Sequence, residues 1–323
     1  MDRGSKFVLR KILIDFVCLF VVGMAVLGFY LFGRPYKRGF FCNDESLQHP
    51  YLDSTVTNFM LYIVGLLLPT LVILLCEYLH SRDISDSTPL VLFSHSIPLW
   101  VRMAYEKIGI FGFGAATTVF TTDVAKYTVG RLRPHFMTLC KPNIDCTAPE
   151  NQHRYIQNFV CTALPDRLLK ELRLSFPSGH SSFSAYTMIF LALYLQLRFT
   201  WRGSKLLRHF LQLMCLMMAW FTAMTRISDY KHHWSDVLGG SSIGIAIALI
   251  MVFGVADLFK EKREAKFLSE HKQHLKPKAR VTDYEISPLP ESTQLEYTPL
   301  RGQVFDRTYG GNGYLESESQ LRS

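Results

Sequence analysis

The chain has 323 residues, of which 49% are hydrophobic and 19% charged, and carries a net charge of +8. The apolar residues fall in long blocks, which excludes an ordinary charged, water-soluble globule built on one core. The basic residues sit beside those blocks and follow no base-stacking or groove-reading pattern, which argues against a nucleic-acid partner.

A membrane span needs about 20 mostly apolar residues. The first such block runs near Phe7 to Phe32 and is followed by GRPYKRGFFC with no small-residue cleavage site, so it reads as a retained span and not as a signal peptide. Further blocks run near Phe59 to Leu79, Ile108 to Ala125, Phe183 to Phe199, Leu207 to Met224 and Val237 to Ala256. The pattern predicts an all-α integral membrane protein with six transmembrane helices in a bundle, and no internal repeat is evident. Asp15, Glu77 and Asp123 fall in or beside these blocks. Such residues mark transport pathways in some membrane proteins, but packing contacts or interfacial positions are the favoured reading here.

Arg3, Lys6, Arg10 and Lys11 precede the first span, Arg198, Arg202, Lys205 and Arg208 separate the fourth from the fifth, and Lys260, Lys262, Arg263 and Lys266 follow the sixth. With six spans these groups share one side, which places both termini in the cytoplasm, although Arg34, Lys37 and Arg38 oppose the assignment after the first span. From about Glu261 the composition turns polar without periodicity, so residues 1–258 read as a membrane domain and 259–323 as a disordered cytoplasmic tail. Cys18, Cys76 and Cys215 lie in apolar blocks, whereas Cys42, Cys140, Cys146 and Cys161 lie in connections, where an oxidising compartment would permit disulfides of undetermined pairing.

The polar residues at the span ends point to chemistry. Lys126, Arg131 and Arg133 end the third span, Ser178, Gly179 and His180 open the fourth, Arg226 ends the fifth, and His232 and Asp236 open the sixth. With cytoplasmic termini, all four ends lie on the non-cytoplasmic side. Lys126, Arg133 and Arg226 form an anion trap, because a guanidinium fork matches phosphate oxygens in a bidentate way and an ammonium adds a point charge. Pro177 and Gly179 suit a tight turn, and the N–H groups opening the next helix cradle anions, with the Ser178 hydroxyl as a further donor. His232 and Asp236 are four apart, which on a helix lets the carboxylate hold the imidazole as a nitrogen nucleophile. His180 is then the acid and base. His233 is rotated away by about 100° on the same helix. The neighbouring cations disfavour a metal, and no cofactor is called for.

KYTVGRLRP at Lys126 to Pro134, SFPSGH at Ser175 to His180 and RISDYKHHWSD at Arg226 to Asp236 together resemble, in order, the three signature blocks of the lipid phosphate phosphatases of the type 2 phosphatidic acid phosphatase superfamily. The likeness covers roughly Phe7 to Ala256 and departs at Thr225, where the family pattern has serine. The resemblance implies a six-span helical-bundle phosphatase core in residues 1–258. It implies that Lys126, Arg133, Ser178, Gly179 and Arg226 bind phosphate, that His232 is the nucleophile, that His180 is the acid/base, and that Asp236 orients His232. Substrates implied are phosphatidic acid, lysophosphatidic acid, sphingosine 1-phosphate and ceramide 1-phosphate, hydrolysed without a metal. A plasma-membrane location with an extracellular site follows from the same likeness, although the exterior connections lack the Asn-X-Ser/Thr sequon of many relatives. The lipid substrate is the expected partner, and a homo-oligomer is left open. A non-enzymatic relative, a headgroup transferase and a transporter are the competing readings, and the complete Lys126 to Arg133 block favours the phosphatase over the transferase.

Overall fold

The computed structural model describes residues 3–82, 90–92, 95–163, 166–199 and 205–256. The tail predicted from Glu261, and the basic residues Arg202, Lys260, Lys262, Arg263 and Lys266 used for orientation, lie outside them. In chain order, α1 (Arg3–Phe32) leads into β1 (Phe40–Phe41) and a 3₁₀ turn, and α2 (Asn58–Arg82) into the antiparallel pair β2 (Leu90–Leu92) and β3 (His95–Ile97). Next come α3 (Leu99–Val129), the short helices α4 (Phe136–Cys140) and α5 (Pro149–Gln152), β4 (Tyr155–Ile156) and α6 (Asp166–Leu172). The chain continues through α7 (Gly179–Arg198), α8 (Lys205–Ser228) and α9 (Trp234–Leu249), the last extended by a π-helical turn over Ile250–Val255.

Five stretches are long and apolar enough to cross a membrane: Val8–Phe32, Asn58–Arg82, Leu99–Val129, Leu206–Ser228 and Trp234–Val255. They match five of the expected blocks. The remaining block is α7, whose 20 residues give a length of about 30 Å, enough for a crossing. Its polar Ser181, Ser182, Ser184, Thr187 and the tyrosines Tyr186 and Tyr194 lower its hydropathy, and all are buried, because α7 is the central rod against which α2, α3, α8 and α9 pack. Its polar atoms find partners inside the bundle. The Tyr186 hydroxyl donates to the Phe111 carbonyl at 2.7 Å, Tyr194 donates to Glu77 at 2.8 Å, and Thr122 bonds Ser182 at 2.9 Å. Where water is absent, such internal satisfaction is what makes a polar helix tolerable.

Helices α7 and α9 meet through glycine. Gly240 and Gly244, one turn apart on α9, abut the backbone of Ser178 and Ser182, so a Cβ at either position meets a carbonyl and not a movable side chain. This small-residue contact lets two backbones touch. Gly244→Leu should therefore cost at least about 1–3 kcal/mol through overpacking. The check is the Tm in detergent against Gly109→Leu, a position on α3 with open space around it, which should leave the Tm nearly unchanged.

Helix α1 packs mainly along α3 and presents Leu13, Phe16, Phe20 and Val21 outward, as a lipid-facing helix would. Lys11 pairs with Glu106 at 2.8 Å, Tyr105 donates to Asp15 at 3.0 Å, and Phe29 rests on Phe120 and Tyr127. Asp15 and Glu77 are thus packing residues.

At the end of the bundle where α3 stops and α7 starts, the connections form a small cap with its own core of Phe40, Leu47, Leu132, Phe136, Ile156 and Leu172. β1 pairs antiparallel with β4, Phe40 opposite Ile156 and Phe41 opposite Tyr155. Disulfides join Cys42 to Cys146 and Cys140 to Cys161, so the connection after α1 is bonded covalently to the connection after α3. These are the four cysteines expected in connections, and Cys18, Cys76 and Cys215 are free.

Candidate active site

Beneath the cap, a cavity of about 810 Å³ is lined by Lys126, Arg133, Gly179, His180, Arg226 and His232, six of the eight residues expected in the site. The two others, Ser178 and Asp236, stand behind its wall. Ser178 caps α7: it is fully buried, its N–H donates to the Asp236 carbonyl at 2.9 Å, and its hydroxyl accepts from Ser181 Oγ at 3.0 Å. That cap starts α7 at Gly179, which brings the helix N-terminus, the positive end of its dipole, to the cavity. Gly179 leaves room for Lys126, whose Nζ lies 3.0 Å from where a Cβ would stand.

Three cations converge through different local devices. Lys126 is in the last turn of α3, which Gly130 ends in the left-handed conformation at φ 58. Beyond it the chain runs beside residues 171–175, with Arg133 N–H donating to the Leu172 carbonyl and Ser175 N–H to the Arg131 carbonyl. Arg133 is held there by Glu171, through the backbone carbonyl at 2.9 Å and the carboxylate at 3.1 Å. Arg226, 1% exposed, is gripped by Asp229 at 3.0 Å, and Asp229 in turn accepts from the backbone N–H and hydroxyl of Thr55, each at 2.8 Å. That carboxylate ties the segment before α2 to the end of α8.

After Arg226 the chain turns sharply, and the N–H groups of Lys231 and His232 both return to the Arg226 carbonyl at 3.1 Å. Tyr230 takes a left-handed φ of 52 to allow it. A non-glycine residue pays about 1–2 kcal/mol there. The cap offsets this strain: the His49 ring stacks on Tyr230 at 4.4 Å and His135 Nδ1–H donates to the Tyr230 carbonyl at 2.8 Å. Burial, with Arg133 and Lys231 nearby, pushes His135 down to about 4 against the opposing pull of this bond, so the ring is neutral and donates through Nδ1–H. Strain held by surrounding contacts is a recurrent property of sites.

His232 is 5% exposed, and its Nδ1 lies 2.7 Å from the Ser175 carbonyl. A carbonyl only accepts, so Nδ1 carries the hydrogen and Nε2 keeps its lone pair. Burial first, and then the charges of Arg133 and Lys126, hold the ring well below the ordinary histidine range, which keeps that lone pair free of a proton. His180 is tethered differently, with Nε2 3.2 Å from the Val56 carbonyl.

Asp236 does not touch His232 as the four-residue spacing predicts. Its carboxylate stands 3.9 Å from His232 Nδ1, beyond hydrogen-bond reach. Helix α9 begins only at Trp234, so His232 and Asp236 share no helical face. His233 is the N-cap, and Asp236 closes a capping box with it, accepting from His233 N–H at 3.0 Å and pairing with its Nδ1 at 3.1 Å. Asp236 also accepts from Ser175 Oγ at 2.6 Å and from Arg131 at 2.6 Å. It thereby fixes Ser175, whose carbonyl holds His232, so the carboxylate bears on the imidazole at one remove.

Lys231 and Asp123 also line the cavity, and neither was picked as a site residue from the sequence. The Lys231 ammonium sits 3.7 Å from the centre of the Tyr51 ring, and burial with Arg133 and Arg226 lowers it to about 8. Its position next to His232 was the available signal. From the charged end the cavity continues past Asp123 and Tyr62 to Val119 and to Gly23, Val26 and Leu27 of α1, an apolar wall beside a polar floor. Among the described residues, no group of three or more His, Cys, Asp or Glu is arranged to hold a metal ion.

Residues 107–260 match the model of the PAP2 superfamily. A protein of Drosophila melanogaster provisionally named a phosphatidate phosphatase is 48% identical over 85% of this chain and 76% of its own length. Human phospholipid phosphatase 2 is 38% identical over 84% of this chain and 91% of its own, and phospholipid phosphatase 1 of Rattus norvegicus is 38% identical over 80% and 89%. No solved structure matches. The three matched blocks of the sequence meet in one cavity, and relatives of this identity share most of the chain: it belongs to the PAP2 superfamily, among the phospholipid phosphatases.

Proposed function

We propose that this protein is a metal-independent phosphatase of lipid phosphate monoesters, acting through a phosphohistidine on His232. The observation that carries it is the buried His232, bonded through Nδ1 to the Ser175 carbonyl and so presenting Nε2 to a cavity lined by Lys126, Arg133 and Arg226. Nε2 attacks phosphorus, the bond from phosphorus to the lipid oxygen breaks, and His180, protonated once the bound phosphate offsets the charge of Lys126 and Arg226, gives that oxygen its proton. Water then attacks the phosphohistidine, His180 takes the water's proton, and the phosphorus–nitrogen bond breaks to release inorganic phosphate. The three cations, joined by Lys231, offset charge on the phosphoryl oxygens, the part a divalent ion plays elsewhere.

The apolar wall suits acyl or sphingoid chains, so phosphatidic acid, lysophosphatidic acid, sphingosine 1-phosphate and ceramide 1-phosphate are the substrates. With α7 counted as the sixth span, the basic flanks favour both termini in the cytoplasm and the cavity on the opposite, non-cytoplasmic face, and the likeness to lipid phosphate phosphatases favours the plasma membrane. In this reading residues 1–258 are the catalytic domain and 259–323 a cytoplasmic tail. Purified protein in detergent micelles should release phosphate from phosphatidic acid at the same rate with and without excess EDTA. Activity that EDTA abolishes and a divalent ion restores would defeat the metal-free reading.

A further inference from the structure

Asp123 is a carboxylate in a cavity otherwise built for an anion. It lies on α3 one turn from Lys126, about 4.5 Å along the helix axis toward the middle of the span. It lines the same cavity as Lys126, Tyr62 and Val119, and is half-buried. Among the described residues it forms no hydrogen bond or ion pair, unlike Asp15, Glu77, Asp229 and Asp236. A half-buried carboxylate with no protein partner keeps its acceptors for what occupies the cavity, water or an entering ligand.

The order of groups along α3 states what that visitor carries. Lys126 belongs to the phosphate end, Val119 a further turn inward belongs to the apolar end, and Asp123 lies between them. In a lipid phosphate whose phosphorus is at His232 and whose chain lies along Val119 and Leu27, the group level with Asp123 is the second carbon from the phosphoester oxygen. Lysophosphatidic acid carries a hydroxyl there, sphingosine 1-phosphate an ammonium and ceramide 1-phosphate an amide N–H, each able to donate to a carboxylate. Phosphatidic acid carries an ester, which only accepts. Resting on the phosphatase reading above, we propose that Asp123 is a specificity-determining residue that accepts a hydrogen bond from a donor on the second carbon of the lipid, and so favours lysolipid and sphingoid phosphates over diacyl phosphates. The strongest preference goes to the ammonium, because there the bond is between opposite charges.

The test compares wild type and Asp123→Asn in mixed micelles on sphingosine 1-phosphate and on hexadecyl phosphate, a single-chain phosphomonoester with no donor beside the phosphate. The amide keeps the shape of the side chain and removes its charge. The expected result is a loss of about tenfold or more in kcat/KM on sphingosine 1-phosphate with a change within about twofold on hexadecyl phosphate. Turnover of hexadecyl phosphate also certifies that the variant is folded. Equal losses on both lipids would mean that Asp123 acts through Lys126 and overturn the proposal, as would an unchanged ratio with no loss on either. Wild type inactive on both lipids would instead remove the phosphatase reading itself.

Discussion

His232→Ala should lose phosphate release on the order of 10⁴-fold or more, because the substitution deletes the nucleophile while leaving the binding cations in place. The fold should survive, since the ring contributes one hydrogen bond, to the Ser175 carbonyl. Rapid quenching into alkaline detergent, where a phosphorus–nitrogen bond survives, with a phosphate-labelled lipid provides the direct readout. Wild type should yield an acid-labile phosphoenzyme and His232→Ala none, while His180→Ala, lacking both the acid of the first step and the base of the second, should form and lose it slowly. His233→Ala separates this assignment from its neighbour: His233 pairs with Asp236 as a helix cap, so its loss should lower the Tm and leave a phosphoenzyme that still forms. Near-normal turnover by His232→Ala, or label on His233, would end the assignment.

Arg226→Ala should lower kcat by about 10²–10³, the scale seen when one preorganised donor to a developing oxyanion is removed. A residue that binds substrate and transition state equally would raise KM alone, so the division between kcat and KM decides between charge stabilisation and steering. The alanine variant also leaves Asp229 without its cation, although the two donors from Thr55 remain. Arg226→Lys keeps the charge and loses the fork. It should recover part of the rate while a Tm measurement shows the bundle intact. A lysine variant as active as wild type would mean that the guanidinium geometry is not used.

Hydropathy made α1, α2, α8 and α9 legible, since each is apolar over most of its length. It placed the start of α3 at Ile108, nine residues late, because Arg102, Glu106 and Lys107 occupy the first turns, and a helix can carry charge where it leaves the lipid. α7 was legible as an apolar block but not as the centre of the bundle, because nothing in its own sequence says that Tyr194 is satisfied by α2, and Tyr186 and Ser182 by α3. The convergence of Lys126, Arg133, Gly179, His180, Arg226 and His232 was readable from four span ends facing one way. The Asp236 contact was misread because a four-residue spacing has meaning only inside a helix, and this helix begins after His232. The true acceptor for His232, a backbone carbonyl at Ser175, has no side-chain signature to read. Asp229 stands three residues from Arg226, a spacing that could have exposed their pairing. The cysteine pairing required the cap, which brings Cys42 within bonding distance of a residue 104 positions away.

The cap supplies His49, Tyr51 and His135, which hold the turn carrying Lys231 and His232, and it is closed by two crosslinks between cysteines. Thiols on the reducing side of a cell membrane do not form such bonds, and a chain leaving the ribosome has none. The newly inserted bundle would therefore hold its cations and histidines before the turn beneath the cap is secured. On the orientation proposed above, oxidation of these cysteines would be the step that secures that turn, and competence toward lipid phosphates would follow insertion and not accompany it.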